Sequence, residues 1–398
     1  MVYLHVPFCR SFCTYCDFYS EIACRGRDAQ LFEDFTAAVC AEASRRRDEI
    51  DATRNLNTLY IGGGTPSVLP LSLLSSFAGL TGESPVAEFT IEVNPEDIVE
   101  KGEAYVRGLL ELGVNRVSMG VQSLDDGILR WMNRRHDAAH ARQAFRILRD
   151  AGVKNISVDL IFGLSQLSEA TLSETLREII SWQPEHVSAY QLSIEEGSAL
   201  GRLVREGRYT EASQEQCAAQ YRLLCDTLRD AGYNHYEISN WARPGFEAVH
   251  NSAYWSRHPY VGLGPGAHSF DGHTRSWNLE ALPQAQAATA PENRSHPRLR
   301  KREGPAAEGS GRGPAQPDVF WDSSPLRGGC EELSEKEMKE EQIMLGLRTA
   351  KGIPAELLDA AKAAEMLSDG RLARTEDGRL RIPEDYWFVS DDIIADLL

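Results

Sequence analysis

Over the first 280 residues, short β-type runs alternate with longer stretches whose apolar residues recur at helical spacing. The runs predict strands over Val2–Val6, Thr58–Ile61, Glu88–Val93, Arg116–Met119, Asn155–Ile161 and His186–Leu192. The longer stretches predict helices over Ala29–Arg47, Lys101–Leu112, His140–Ala151 and Glu169–Ile180. Strand–helix alternation of this kind builds βαβ units on a parallel sheet. Six units make either a complete open sheet or a partial barrel, and periodicity alone does not choose between them.

The pattern breaks between about Pro283 and Pro317, where Ala, Pro, Gly and Arg replace large apolar side chains. This stretch carries the basic run Arg298-Leu299-Arg300-Lys301-Arg302 and reads as a flexible insertion or linker. A small region follows. Ser334 is placed to cap a helix running toward Arg348, and Glu376-Asp377-Gly378-Arg379 marks a hairpin within Arg371–Ile382. Helices followed by a hairpin predict a winged-helix-like α+β module. The division expected is therefore 1–280, 281–330 and 331–398.

Composition narrows the function. The 398 residues carry 42 basic against 59 acidic side chains, net −17, which opposes non-specific nucleic-acid binding. No stretch approaches the ~20 apolar residues needed to span a bilayer, and Met1–Pro7 has neither the basic nor the apolar segment of a secretory signal. A cytoplasmic protein is expected. Of eight cysteines, three lie within eight residues, which in such a compartment points to metal binding or catalysis and not to a disulfide scaffold.

That cluster, Cys9-Arg10-Ser11-Phe12-Cys13-Thr14-Tyr15-Cys16, has the spacing C-x3-C-x2-C. Three thiolates on one loop can hold three corners of a cubic iron–sulfur cluster, leaving the fourth iron for a small molecule. A structural zinc site wants four closed ligands, and only His5 and Asp17 stand nearby. Cys24, Cys40, Cys217, Cys225 and Cys330 receive no ligand role. Further along, Gly62-Gly63-Gly64-Thr65-Pro66 ends the second predicted strand, where glycines admit close backbone approach to a ligand, or simply a tight turn. It is not the G-x-G-x-x-G fingerprint of a dinucleotide site. Polar groups then recur at or beyond successive strand ends: Glu92, Gln122, Arg134 and, inside an apolar run, Asp159. Ligands of α/β folds sit at such strand ends.

The cysteine spacing after a first strand resembles the radical S-adenosylmethionine (SAM) enzymes. That resemblance implies a partial (β/α)6 barrel of the TIM-like type and a 4Fe-4S cluster on Cys9, Cys13 and Cys16. It also implies SAM, held by the open iron and cleaved by an electron from the cluster to a 5′-deoxyadenosyl radical. Tyr3, Gly63, Gly64, Thr65, Glu92, Gln122, Arg134, Asp159 and Ser193 look like the SAM-contacting series of the coproporphyrinogen III oxidase-like family, with Tyr15 a further cofactor contact. The resemblance is dense over residues 2–280 and looser over 331–350, where Glu341–Thr349 is similar to a family helix motif.

That family holds oxygen-independent coproporphyrinogen III dehydrogenases and HemW-type heme chaperones. The dehydrogenases carry a further Cys two residues after the third ligand and an extension before the loop; here Asp17-Phe18 follows Cys16, and eight residues precede Cys9. His250-Asn251-Ser252-Ala253-Tyr254-Trp255 is similar to the HNxxYW heme motif of HemW-type proteins. The resemblance makes His250, Asn251, Tyr254 and Trp255 heme contacts, His250 through its imidazole; His268 is a weaker alternative ligand. The expected partners are heme and a heme-accepting protein, of which a respiratory enzyme is one example. A homodimer and a peripheral membrane contact stay open.

Overall fold

The computed structural model describes residues 1–23, 28–82, 85–282 and 327–398. The Pro/Gly/Arg-rich stretch with its basic run, and Cys24, lie outside the described residues. Strands form at all six predicted places: β1 (Val2–Val6), β2 (Thr58–Gly63), β3 (Glu88–Val93), β4 (Arg116–Gln122), β5 (Ile156–Phe162) and β6 (His186–Gln191). Each pairs parallel with the next. Beyond β6 the sheet continues antiparallel through β8 (Asn240–Ala242) to β7 (Asn234–Glu237), and β9 (Val261–Leu263) pairs parallel with the outer side of β1. Among the described residues the two edge strands, β9 and β7, do not pair with each other, so the sheet is open.

Alternation along the strands divides the sheet into two chemically distinct faces. Leu4, Val6, Leu59, Ile61, Phe89, Ile91, Val117, Met119, Ile156, Val158 and Val187 point one way, into a single apolar core. Helices α1 (Ala29–Arg45), α2 (Pro95–Glu111), α3 (Ala138–Asp150) and α4 (Glu169–Trp182) cover them with Phe35, Val39, Leu109, Leu148 and Leu176. The other face carries Tyr3, His5, Thr58, Tyr60, Thr90, Glu92, Arg116, Ser118, Ser157, Asp159, His186 and Ser188, which hydrogen-bond largely among themselves. Tyr190 on β6 lies close enough to Glu92 on β3 for the carboxylate to help push its phenol upward, after burial. A flat sheet would hold those strands roughly 14 Å apart; the sheet curls, and the polar face lines its inside.

Two helices differ from their periodicity for visible reasons. α1 stops at Arg45 because the side chain of Arg46 turns inward, donating to the carbonyl of Gly262 at 2.6 Å and to Ser269 Oγ at 2.9 Å. α2 begins at Pro95, capped by the Asn94 side chain, and Gly102 at φ 71° interrupts the helical repeat from which a later start is read.

After α5 (Gln214–Asp230) and α6 (Val249–Trp255), a second sheet forms from β10 (His268–Phe270), β11 (Thr274–Asn278) and β12 (Arg327–Glu332). β12 crosses the boundary expected at residue 330 and belongs with β11. The C-terminal region then places α7 (Glu335–Leu347), α8 (Ala360–Ser368), a hairpin of Ala373–Arg374 with Leu380–Arg381, and α9 (Ser390–Leu397) in the helix–hairpin order read from the sequence. Ser334 caps α7 in a reciprocal box with Glu337. Ser334→Ala is expected to cost about 1 kcal/mol, read as a lower urea midpoint for the C-terminal region. Trp241, Trp387 and the His235 ring, stacked on Trp241 with centroids 4.1 Å apart, join this region to the core.

Candidate functional site

The cysteine loop leaves the C-terminal end of β1 and is held along its length by backbone bonds. Its neck is a two-residue parallel pairing of Phe8–Cys9 with Glu21–Ile22. At its tip, Thr14 N–H donates to Met132 O at 3.0 Å, Thr14 Oγ1 to Trp131 O at 2.9 Å, and Leu200 N–H to Thr14 O at 2.8 Å. Asn133 Nδ2 donates to Phe12 O at 2.7 Å. Beside it, the Gly62–Gly64 turn needs its glycines. Gly63 has φ 112°, and a Cβ there would stand 2.7 Å from His5 Nδ1; one on Gly64 would stand 3.0 Å from Cys9 Sγ. Thr65 Oγ1 lies 3.5 Å from Cys9 Sγ.

Arg134 reaches in from beyond β4. Its Nη1 lies 3.4 Å from Cys13 Sγ, its Nη2 donates to Gly120 O at 2.7 Å, and its buried Nε has no partner. Gln122 sits at a bulge with φ 65° and lays its amide over Gly120, where a Cβ would come within 2.8 Å of it. Tyr15 packs beside Cys13 and Arg134, and burial pushes its phenol upward. Glu92 accepts from Tyr60 Oη at 2.7 Å and from Gly63 N–H at 3.1 Å; burial nevertheless raises its carboxyl to about 7. Asp159 accepts from Ser118 Oγ at 2.9 Å and from Ser157 Oγ at 3.2 Å, and burial raises it too. The Tyr3 hydroxyl donates to His5 Nδ1 at 3.0 Å, and His5 Nε2–H donates to Tyr19 O at 2.9 Å. Ser193 is exposed just past β6 and bonds to Glu195. Tyr60, Arg116 and the lumen serines were not among the residues singled out from the sequence. Their signal is the polar residue at every second place in these strands.

The donor set fits an iron–sulfur cubane. Among the described residues, the one group of three His, Cys, Asp or Glu ligand atoms within 4.8 Å of one another is Cys225, His235 and Glu384. The sulfurs of Cys9, Cys13 and Cys16 are therefore spread wider than ligands of a single tetrahedral zinc, as three ligands of three separate irons must be. Burial raises Cys9, and raises Cys16 to about 11, so metal binding here must expel protons.

The HNxxYW segment lies elsewhere. It forms α6, which covers the N-terminal ends of the strands, opposite the thiol loop. Both carboxylate oxygens of Glu88, the first residue of β3, accept the α6 amides of Val249 (2.7 Å) and His250 (3.1 Å), a favourable charge at a helix N-terminus. His250 is 0% exposed. Its Nδ1 pairs with Thr58 Oγ1 at 2.8 Å and its Nε2 with Tyr254 Oη at 3.0 Å. Burial holds its pKa down at about 3. Asn251, Tyr254 and Trp255 are half-buried. This arrangement does not fit an iron ligand: ligation would strip one of two buried hydrogen bonds, each costing about 1–3 kcal/mol to leave unmade. Contact between the two ends is indirect, through the Tyr60 ring, which faces His250 at 5.2 Å and bonds to Glu92.

Residues 3–179 match the family model described as the Radical SAM superfamily, the class that the curled parallel sheet and the thiol loop define. The heme chaperone HemW of Mycobacterium tuberculosis is 32% identical over 395 residues, covering 95% of this chain and 92% of its own. That of Bacillus subtilis is 34% identical, over 70% of this chain and 72% of its own. The chain belongs to the HemW-type family of radical SAM proteins. Membership implies a 4Fe-4S cluster and SAM. Coproporphyrinogen III oxidase from Escherichia coli, a radical SAM enzyme, superposes over 99% of this chain and 89% of its own with a TM-score of 0.73; at 18% identity that shows a shared fold.

Proposed function

We propose that the chain is a heme chaperone that binds a 4Fe-4S cluster through Cys9, Cys13 and Cys16, binds SAM at the same mouth, and passes heme to an acceptor protein. The observation that carries the reading is the thiol loop set against the Gly63–Gly64–Thr65 turn, Glu92, Gln122 and Arg134, in a chain 32% and 34% identical to the proteins of Mycobacterium tuberculosis and Bacillus subtilis that are named heme chaperones. When bound, the cluster would supply an electron to the sulfonium of SAM or simply organise its pocket. The chain's own groups have defined work. The Gly63–Gly64 backbone admits the ligand closely, Arg134 places positive charge beside Cys13, and Glu92 offers a carboxylate to an ammonium group. Glu92 raised to about 7 is shared between its charged and neutral forms near neutrality, and a cation beside it favours the charged form.

The test is anaerobic incubation of the cluster-loaded chain with coproporphyrinogen III, SAM and a reductant, alongside hemin titration. Hemin binding near one per chain with no decarboxylated porphyrinogen is the expected outcome. Stoichiometric decarboxylation would make the protein a dehydrogenase instead.

A further inference from the structure

Cys225, His235 and Glu384 converge where the edge of the large sheet meets the C-terminal region. They come from three elements: α5, β7 and a short helical turn over Glu384–Val389. Ten residues separate the first two, and 149 separate His235 from Glu384, so no spacing in the sequence announces them. Their meeting point is His235 Nδ1, which lies 2.9 Å from Glu384 Oε1 and 3.9 Å from Cys225 Sγ. Around a tetrahedral zinc ion, nitrogen–oxygen and nitrogen–sulfur ligand pairs stand about 3.3 Å and about 3.6 Å apart. Both observed separations are within about 0.5 Å of these.

The hydrogen bonding of His235 is incomplete without a cation. Its Nε2 faces Ile238 O at 3.3 Å and its Nδ1 faces the Glu384 carboxylate, and both partners only accept. A neutral imidazole has one N–H, so one ring nitrogen turns a lone pair on an oxygen. Burial lowers the pKa of His235 against the raising effect of Glu384, which disfavours the imidazolium that would serve both ends. A metal ion on Nδ1, with Nε2–H donating to Ile238 O, satisfies both. A ligating histidine commonly donates its other N–H to a backbone carbonyl in this way. The ring is fixed for the task, stacked on Trp241 and edge-on to Trp387 with centroids 4.2 Å apart.

We infer that Cys225, His235 and Glu384 bind a zinc ion that clasps the C-terminal region to the sheet edge, a site that does not depend on the heme-chaperone reading. One thiolate, one imidazole and one carboxylate are zinc's own donor types. Glu384 is partly exposed, which leaves a fourth position to water. The His235 contact holds Glu384 below the usual carboxylate range, so that ligand is already charged. Burial pushes the Cys225 thiol up to about 12, so the ion must displace its proton. Of the other polar groups nearby, Tyr221 donates to Ile238 O at 2.8 Å, and Arg229 shares Glu384 Oε1 at 3.1 Å. Arg229 is half-exposed and also pairs with Asp226 at 3.1 Å, so it keeps a partner when the ion takes the carboxylate.

The cluster-loaded full chain, its thiol loop occupied, is given zinc and desalted. About one zinc per chain is expected beside the iron. X-ray absorption at the zinc edge should show one sulfur at about 2.3 Å among nitrogen and oxygen ligands at about 2.0–2.2 Å. Thermal unfolding should move to higher temperature with zinc. Cys225→Ala and Glu384→Gln, each checked for folding by far-UV circular dichroism, are expected to bind zinc at least about tenfold more weakly and to lose that shift. Wild type that retains no zinc, a zinc shell with no sulfur or with three, or either variant binding zinc as tightly as wild type overturns the site.

Discussion

Cys9→Ser is expected to purify without iron–sulfur absorbance, with iron and acid-labile sulfide falling from about four per chain to near zero, and to lose SAM binding with it. A serine hydroxyl is a far poorer iron ligand than a thiolate, and two remaining sulfurs cannot hold a cubane that already lacks a fourth protein ligand. The loss should be confined to the site. The loop is anchored through the Phe8–Cys9 pairing with Glu21–Ile22 and through Thr14 and Phe12, none of which uses the Cys9 sulfur. Thr65 Oγ1, 3.5 Å from the Cys9 sulfur, can accept from or donate to a serine hydroxyl equally well. Far-UV circular dichroism of the variant should therefore match wild type. A variant that kept four irons and four sulfides would remove Cys9 from the ligand set, and anaerobic wild type carrying zinc without sulfide would remove the cluster.

The second large effect is acid. His136, His186 and His250 are buried, and burial lowers all three, His136 and His250 to about 3. The unfolded chain protonates them near pH 6.5 and the folded chain does not, so they favour unfolding progressively as pH drops below 6.5. Glu92 and Glu237 act in the opposite sense. Burial raises them to about 7 and about 8, so between pH 7 and 4.5 the folded chain holds protons that the unfolded chain has lost. The two sets oppose each other down to about pH 4.5, where carboxylates are protonated in both states and the histidines are left alone. Three histidines against two carboxylates leave one proton of difference, so stability should fall by only about 1.4 kcal/mol per pH unit from pH 6.5 to 4.5. It should then fall by about 4 kcal/mol per pH unit, three protons at roughly 1.4 kcal/mol each. Urea unfolding at half-unit pH steps measures this, and an even decline from pH 7 downward would contradict it.

Much of the frame was legible because local chemistry and global fold agree. The strands around Ile61, Ile91 and Val158 are β-branched runs ended by glycine or Asn-Pro, and each stands where its run predicts. Ser334 with Glu337 marks a helix start in any context. The polar lumen was harder to read. Thr58, Arg116, Ser157 and His186 each open or nearly open a strand, where a polar residue looks like a solvated end. Only the curl of the sheet turns them inward to face one another. The SAM-side residues could be read because each follows its own strand end, and parallel strands bring those ends together. The histidine motif offered no such guide: HNxxYW names a short helix without saying which end of the sheet the helix covers. That is fixed by Thr58 and Glu88, nearly two hundred residues away in sequence.

The two-faced sheet has a consequence for how this architecture can change. On the outer face, Leu59, Ile91, Val117 and Val158 are packed against helices, and trimming even one methyl leaves a void that neighbours cannot fill. On the inner face, Tyr60, Glu92, Ser118 and Asp159 are joined by hydrogen bonds that water can replace in kind. The same six strands thus answer to two separate constraints. The outward row holds the scaffold together by close packing, while the inward row, held by hydrogen bonds, can exchange partners without emptying the core.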